Sequence, residues 1–132
     1  MAKKRTQNQF ENAVISGARR AFARYSPKYQ EVLEASRVEL PRVLKDGTHG
    51  KVNEVWHTCN VCKELQKKVD IDHIEPVIEI GKSRKDYHLG EYIERLDCSI
   101  MNLQVICEAC HNEKSLHETK QRKVAKNGIH VL

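Results

Sequence analysis

Apolar residues in the first part of the chain recur at helical spacing. Between residues 8 and 25 they keep to an i, i+3/i+4 stripe, with the arginines mostly off it. The stripe consists of Phe10, Val14, Ile15, Ala18, Ala21 and Phe22. Ser26 and Pro27 then provide an N-cap and a first helical residue for a second helix, which we expect to run to about Leu40. The pattern therefore predicts two consecutive helices before a glycine-rich turn at residues 45–51.

Beyond that turn, the apolar residues alternate with polar ones, which is typical of strands. Residues 52–59 and 67–74 both show this alternation. In the second stretch the two aspartates lie on the face opposite Val69 and Ile71, and His73 ends the strand on the apolar side. These stretches predict two short strands, the first of which leads into Cys59.

The remaining residues predict a short helix, a strand and a longer helix. The short helix is "LGEYIERL" at 89–96, the strand is "NLQVIC" at 102–107, and the long helix starts near residue 110. The second part of the chain is therefore expected to run strand, long loop, strand and helix.

Length and composition limit the chain to one small domain with an appended arm. It has 132 residues, of which 39% are apolar and only 5% aromatic, so the core should be thin and stabilised by a metal or by disulfides. We expect a basic helical arm at 1–48 and the main domain at 49–132. The sequence has neither an apolar run of about 18 residues nor a secretory h-region, so we expect no membrane association and a cytoplasmic location.

The net charge of +5 is unevenly distributed along the chain. Residues 1–45 carry ten Lys/Arg against four Glu, and residues 113–132 carry five against two. Two basic ends around an acidic middle suit a surface that binds a polyanion, although solvated charged helices would give the same totals.

Four of the five cysteines form two C-x-x-C pairs, "CNVC" and "CEAC". Such a pair directs two thiolates at one centre, and two pairs complete the tetrahedron of a structural zinc site. A redox motif needs only one pair, and chance is the remaining alternative. We therefore predict that zinc is bound by Cys59, Cys62, Cys107 and Cys110.

The pattern C-x-x-C, "DHIEPV", "NLQVIC" and "CHNEKS" resembles the HNH endonuclease family, the ββα-metal nucleases, in its zinc-knuckle form. It is similar in particular to small free-standing HNH proteins of bacteriophages, over residues 56–118. The resemblance implies an α+β fold: a ββα-metal (His-Me finger) core with a four-cysteine zinc site and a basic helical N-terminal arm. It also implies a metal-dependent DNA endonuclease that hydrolyses phosphodiester bonds.

Matched to the family motif, His73 would be the general base, for which a neutral imidazole is suited near pH 7. Asp72 and His111 would bind the catalytic cation, Mg²⁺ or Mn²⁺, which acts as a Lewis acid. Asn102 would brace the loop between the strands and help to orient the base. Ser115 stands where some members have a second histidine, so water and substrate oxygens would complete the cation's coordination.

Basic residues on two predicted helices are candidates for contacts with DNA phosphates. They are Arg19, Arg20, Arg24, Lys28, Lys114, Lys120, Arg122 and Lys123. For the basic residues at 120–126, a frayed and solvated tail is an equally good interpretation.

Two further readings compete with a nuclease. One is a zinc-stabilised DNA-binding module, which has no need of His73; the other is a degenerate nuclease kept as a scaffold beside phage packaging proteins. For the nuclease we expect DNA as the partner and a monomer that nicks, or a weak dimer. If the protein is phage-encoded, its compartment is the bacterial host cytoplasm.

Overall fold

A computed structural model of the protein describes residues 3–127, which form an α+β fold with two small antiparallel sheets. The helices are α1 (Gln7–Tyr25), α2 (Pro27–Ala35), α3 (Leu89–Leu96) and α4 (Glu108–Lys126). The strands are β1 (Arg37–Leu40), β2 (Glu54–Thr58), β3 (Leu65–Gln66), β4 (Val69–His73) and β5 (Leu103–Cys107). Within the described range, no helix is long and apolar enough to cross a bilayer.

Helices α1 and α2 begin at side-chain caps that satisfy their first free N–H groups. Thr6 and Gln9 form a capping box at α1, and the Ser26 hydroxyl accepts a hydrogen bond from the N–H of Tyr29 at the start of α2. The break predicted at residues 26–27 is therefore confirmed.

The predicted extent of the second helix is wrong. Helix α2 ends at Ala35, and the next residues, "RVEL", form β1. Their polar and apolar side chains alternate, and their backbone pairs with β2 in the register Arg37↔His57 to Leu40↔Glu54. Because this pairing satisfies the backbone groups of residues 37–40 in a sheet, the helical pattern does not continue through them.

The predicted turn at 45–51 lies in the connection between β1 and β2. Gly47 has φ +85°, a left-handed conformation that favours glycine, and Val43 and His49 form an isolated bridge. The predicted boundary between residues 48 and 49 falls inside this connection and stays a prediction. Strand β1 lies in the predicted arm (1–48) and β2 lies in the predicted main domain (49–132), and the two strands pair with each other.

Strands β4 and β5 pair antiparallel, and α4 follows β5 without a loop. The register runs from Val69↔Cys107 to His73↔Leu103, so Asp72 lies directly opposite Gln104. All five residues of β5 are buried. The strands predicted at 67–74 and 102–107 and the helix after them are confirmed.

The core consists of two small clusters, in line with the thin core expected from the composition. One cluster joins Ile15 of α1 to Tyr92 and Leu96 of α3 and to Val77 and Tyr87 of the intervening loop. The other contains Cys59, Ile106 and Cys107.

The apolar stripe predicted for α1 is only partly used. Ile15 is buried, and Ala18 and Phe22 pack against the first core cluster, whereas Phe10 is 59% exposed. The apolar anchor of α1 therefore lies between Ile15 and Phe22, and an ion pair of Glu11 with Arg84 at 2.6 Å adds a polar contact nearer its start.

Candidate active site

The two C-x-x-C pairs come together in one cluster. Their sulfur atoms all lie within 4.8 Å of one another, and the Cys62 and Cys107 sulfurs are 4.0 Å apart. Four sulfurs at about 2.3 Å from a tetrahedral zinc would be about 3.8 Å apart, so the cluster fits such an ion with small adjustments. The four predicted ligands, Cys59, Cys62, Cys107 and Cys110, therefore form a site that can hold a metal ion such as zinc.

Backbone N–H groups around the cluster favour a thiolate. Burial opposes ionisation of Cys59, but the N–H groups of Cys62, Cys107 and Val61 outweigh it and lower the pKa of Cys59 to about 6. Neighbouring thiols, that of Cys107 first, raise the pKa of Cys110 to about 12. The Cys59 thiol thus ionises readily, whereas the Cys110 thiol resists ionisation because a second thiolate would be repelled by the first. A bound metal cation would remove this repulsion.

A polar cavity of about 290 Å³ lies between β4, α4 and α1. Its lining brings together three of the predicted site residues, Asp72, His73 and His111, with cationic side chains around them. The full lining is Arg19, Ile71, Asp72, His73, Pro76, Val77, Ile78, His111, Lys114, Glu118 and Arg122. Neighbouring residues of a strand normally point to opposite faces, but Asp72 and His73 both line this cavity. His73 is the last residue of β4, where the regular strand geometry ends.

His111 and Asp72 face each other across this cavity. The His111 Nε2 atom is 3.8 Å from Asp72 Oδ1, and its Nδ1 atom is 3.3 Å from Asp70 Oδ2. A carboxylate only accepts hydrogen bonds, so Asp70 favours the tautomer with the proton on Nδ1, and the Nε2 lone pair then faces Asp72. Adjacent and opposite ligands at about 2.1 Å from an octahedral cation are roughly 3.0 and 4.2 Å apart, so the pair fits a hard divalent cation after a small movement.

The imidazole of His73 is held by a backbone carbonyl. His73 Nε2 lies 2.8 Å from the Leu96 oxygen, and the Tyr29 ring packs edge-on at a centroid distance of 6.0 Å. Since a carbonyl only accepts, Nε2 carries the proton and Nδ1 has the free lone pair. Burial, and then the nearby Cys98 thiol, raise the pKa of Tyr29 to about 12, so its phenol is neutral beside His73.

The Asn102 side chain bonds the loop after β4, whereas a different group contacts the imidazole of His73. Its Oδ1 accepts from the N–H of Glu75 at 2.8 Å, and its Nδ2 donates to the Glu75 carbonyl at 3.2 Å. Among the described residues, its side chain makes no hydrogen bond to His73. The Leu96 carbonyl makes that contact, at 2.8 Å from His73 Nε2.

Lys114 lies against the cavity and donates to oxygen acceptors of three residues. Its Nζ lies 3.1 Å from Asp72 Oδ2, 2.9 Å from the His73 carbonyl oxygen and 2.6 Å from Glu118 Oε1. Partial burial lowers the pKa of Lys114, but the hydrogen bonds that it donates to Glu118 and Asp72 outweigh this effect and raise the pKa, so the ammonium is charged at neutral pH. A predicted DNA contact is thus paired with a predicted cation ligand.

The other predicted DNA contacts divide into anchored and solvent-exposed groups. Arg19 donates from Nε to the Tyr92 hydroxyl at 2.6 Å, and Lys28 forms an ion pair with Asp97 at 3.0 Å. Arg122 donates to the carbonyls of residues 78 and 79. Arg20, Arg24, Lys120 and Lys123 are exposed, and so is much of Arg19 despite its bond to Tyr92.

Sequence reasoning missed two residues that contact the site. Asp70 approaches His111, and Gln104 donates from Nε2 to Asp72 Oδ2 at 2.9 Å. Strand alternation indicated the first, because Asp70 and Asp72 share a face; only the β4–β5 register reveals the second.

Comparison with known proteins gives one partial relationship. No family model matches the chain, and no solved structure matches it significantly. The chain is similar to Altered inheritance of mitochondria protein 23, mitochondrial, of Candida dubliniensis, with 31% identity over 103 residues that cover 75% of this chain and 24% of that protein. The chain thus spans about a quarter of the length of the curated relative it matches, whose name describes a mitochondrial protein. The expected cytoplasmic location stays a prediction.

Proposed function

We propose that the protein is a metal-dependent endodeoxyribonuclease of the HNH type, with a ββα core of β4, β5 and α4. The observation that supports this most is the shared cavity of Asp72, His73 and His111, with lone pairs on both imidazoles left available by their partners. Phosphodiester hydrolysis requires a general base for the attacking water, ligands for a metal ion and positive charge near the phosphate. His73, the Asp72–His111 pair and the basic side chains that line the cavity are groups of these kinds.

In this proposal His73 removes a proton from the attacking water through Nδ1. The Leu96 carbonyl accepts from Nε2–H at 2.8 Å before and after that transfer, so the ring is held in one orientation while its charge changes. The neutral Tyr29 phenol packs against the ring and adds no competing charge.

Asp72 and His111 would hold the catalytic divalent cation, Mg²⁺ or Mn²⁺. When bound, that cation supplies Lewis-acid stabilisation of the phosphate and of the leaving 3′-oxygen. Asp70 keeps the Nε2 lone pair of His111 directed at Asp72. The family's usual products, 5′-phosphate and 3′-hydroxyl ends, are expected.

The substrate phosphate would meet Lys114 and Arg19 in the cavity. Arg19 is fixed by Tyr92, which is fully buried, so its guanidinium is oriented before any substrate arrives. Such contacts give affinity that falls steeply with salt and carries little sequence preference. One site per chain predicts nicking by a monomer.

The cysteine cluster would bind a structural zinc that fixes the start of α4. Cys107 ends β5, Cys110 lies in the first turn of α4, and His111 follows directly. A thin core alone would hold such ligands loosely, so the zinc stabilises the geometry of the neighbouring site.

One observation favours a second candidate, a zinc-stabilised DNA-binding or scaffold protein of the kind that accompanies phage packaging machinery. The Lys114 ammonium lies 3.1 Å from Asp72, where it competes with a divalent cation for the carboxylate. A site in which this ion pair persists would bind DNA without cutting it.

Cleavage of supercoiled plasmid by the wild-type protein, His73→Ala and His88→Ala separates these candidates. The reactions contain Mg²⁺ or Mn²⁺, with EDTA as the metal-free control. We expect metal-dependent open circles from the wild type, and loss of turnover by orders of magnitude in His73→Ala with near-normal folding and DNA affinity. His88, whose side chain is 94% exposed, is the matched control, and His88→Ala should cut plasmid at the wild-type rate. Full activity in His73→Ala would remove it from the role of base, and DNA binding without cutting would favour the second candidate.

A further inference from the structure

A chain of side-chain hydrogen bonds connects the cysteine cluster to Asp72. Lys63 Nζ donates to Asn60 Oδ1 at 3.1 Å, Asn60 Nδ2 donates to Gln104 Oε1 at 2.9 Å, and Gln104 Nε2 donates to Asp72 Oδ2 at 2.9 Å. Asn60 lies between the two cysteines of the first C-x-x-C pair, and its backbone N–H donates to the Val105 carbonyl at 2.8 Å. The chain of bonds therefore starts on the metal-binding loop and ends on a predicted cation ligand.

The direction of this chain is fixed by the chemistry of its ends. An ammonium only donates and a carboxylate only accepts, so each amide between them must accept through its oxygen and donate through its nitrogen. A flip of either amide would place two acceptors or two donors against each other. The Gln104 NH₂ group is therefore committed to Asp72.

Burial makes the contact between Gln104 and Asp72 costly to lose. Gln104 is 7% exposed, and the Asp72 side chain is 10% exposed. The two residues lie directly opposite each other in the β4–β5 register, so the contact spans a cross-strand pair. Without this donor, the Asp72 carboxylate would keep its contact with Lys114 but lose the bond that fixes its orientation toward His111.

Gln104 and Lys114 both contact Oδ2 of Asp72, at 2.9 and 3.1 Å, but Lys114 also reaches Oδ1 at 3.4 Å, so Gln104 is the donor that distinguishes the two oxygens. With Oδ2 occupied by Gln104, Oδ1 is the atom that lies 3.8 Å from His111 Nε2. Resting on the proposed function, we infer that Gln104 is a positioning residue that presents Asp72 to the divalent cation. Asn60 ties Gln104 to the cysteine cluster, so the two metal sites are coupled through these two amides.

Mn²⁺ binding to the zinc-loaded full-length protein, without DNA, tests this inference. Free Mn²⁺ is measured by its paramagnetic resonance signal, so the readout does not depend on cleavage. Gln104→Met keeps the length and volume of the side chain but removes both hydrogen bonds. Outer partners of metal ligands typically change affinity by about 10–100-fold, and we expect Gln104→Met to weaken Mn²⁺ binding within that range. Gln121→Met, on the exposed surface of α4, is the matched control and should bind as the wild type does.

Asn60→Ala provides a second, exposed position for the same test. It should weaken Mn²⁺ binding less than Gln104→Met, and the double variant should be no weaker than Gln104→Met, because Asn60 acts through Gln104. A positioning role also predicts that excess Mn²⁺ restores plasmid cleavage by Gln104→Met, which a collapsed site would not allow.

The outcomes separate this inference from the proposed function. Wild-type cleavage with unchanged Mn²⁺ affinity in Gln104→Met overturns the inference alone. A wild type that neither binds Mn²⁺ nor cuts plasmid overturns the proposed function and the inference with it. If Gln104→Met loses zinc, Asn60→Ala with full zinc content decides: weaker Mn²⁺ binding supports the inference, and unchanged binding overturns it.

Discussion

Replacing Lys114 by methionine should make the protein bind Mn²⁺ more tightly while it cuts DNA more slowly. The Lys114 ammonium is the only side-chain cation among the described residues within 4 Å of Asp72 apart from His111 when protonated. Methionine keeps a long apolar stem in the cavity but removes the charge that Asp72 and Glu118 share. The two expected effects have opposite signs, so a general disturbance of the fold would not produce both.

The cost to the metal-free protein follows from the burial of the partners. The side chains of Asp72 and Glu118 are 10% and 24% exposed, and each would lose a charged donor. Removing one partner of a buried ion pair costs about 3–5 kcal/mol, and partial exposure reduces this to about 2 kcal/mol. In a domain of this size, that loss lowers the melting temperature by roughly 5–10 °C.

The gain in cation affinity follows from the removed repulsion. Lys114 Nζ is 3.4 Å from Asp72 Oδ1. A cation at about 2.1 Å from that oxygen would therefore lie no more than about 5.5 Å from the ammonium. Coulomb repulsion at that distance is several kcal/mol at an effective dielectric constant of about 20. Screening by salt reduces this repulsion. If about 1.4 kcal/mol of it remains, its removal makes Mn²⁺ binding tenfold tighter.

The assay combines thermal melting with Mn²⁺ titration for the wild type, Lys114→Met and Lys120→Met. Lys120 is an exposed lysine on the same helix, so its replacement removes the same charge without breaking a buried pair. With zinc bound and no added Mn²⁺, Lys114→Met should melt below both other proteins, and saturating Mn²⁺ should close most of that gap. Weaker or unchanged Mn²⁺ binding in Lys114→Met would refute a cation site on Asp72 beside Lys114.

Two further predictions concern the scaffold and the substrate. Cys107→Ser should lose zinc and unfold the domain, because zinc binding at structural sites contributes about 10–16 kcal/mol, which matches or exceeds the unfolding free energy of most domains. Metal analysis and thermal melting check this. An unchanged zinc content and melting temperature would contradict a structural zinc. Arg19→Met should reduce plasmid cleavage at least tenfold in kcat/KM and lower the salt dependence of DNA binding, since it removes an oriented phosphate contact. An unchanged salt slope would exclude Arg19 from the interface.

Local sequence signals were sufficient to predict a feature wherever the residue types are compatible with few other structures. The cysteine cluster was predictable because two C-x-x-C pairs in one chain have few other uses, and the sulfurs do converge. The break between α1 and α2 was predictable because Ser26 and Pro27 are both selective for a helix start. Strand β4 was predictable from strict alternation over five residues.

Features that depend on a partner distant in sequence were not predictable. The segment "RVEL" looks helical beside α2, and only its pairing with β2 makes it β1. The partner of His73 is a carbonyl at the end of α3, 23 residues later, and a backbone atom leaves no mark in the sequence. The Asn102 side chain bonds the backbone of Glu75, 27 residues earlier, and a role for Asn102 in orienting His73 stays a prediction.

The geometry of the cavity depends on both small core clusters at once. Asp72 and His73 end β4, which is held by β5, and β5 is fixed at Cys107 by the cysteine cluster. The other side of His73 is fixed by Leu96, which belongs to the cluster that α1 and α3 share. Neither cluster is large enough to enforce the geometry alone, so the N-terminal helices are expected to be part of the catalytic unit. Removal of α1 and α2 should therefore abolish cleavage even when zinc is retained, and a truncated domain that cuts at the wild-type rate would show that the cysteine cluster suffices.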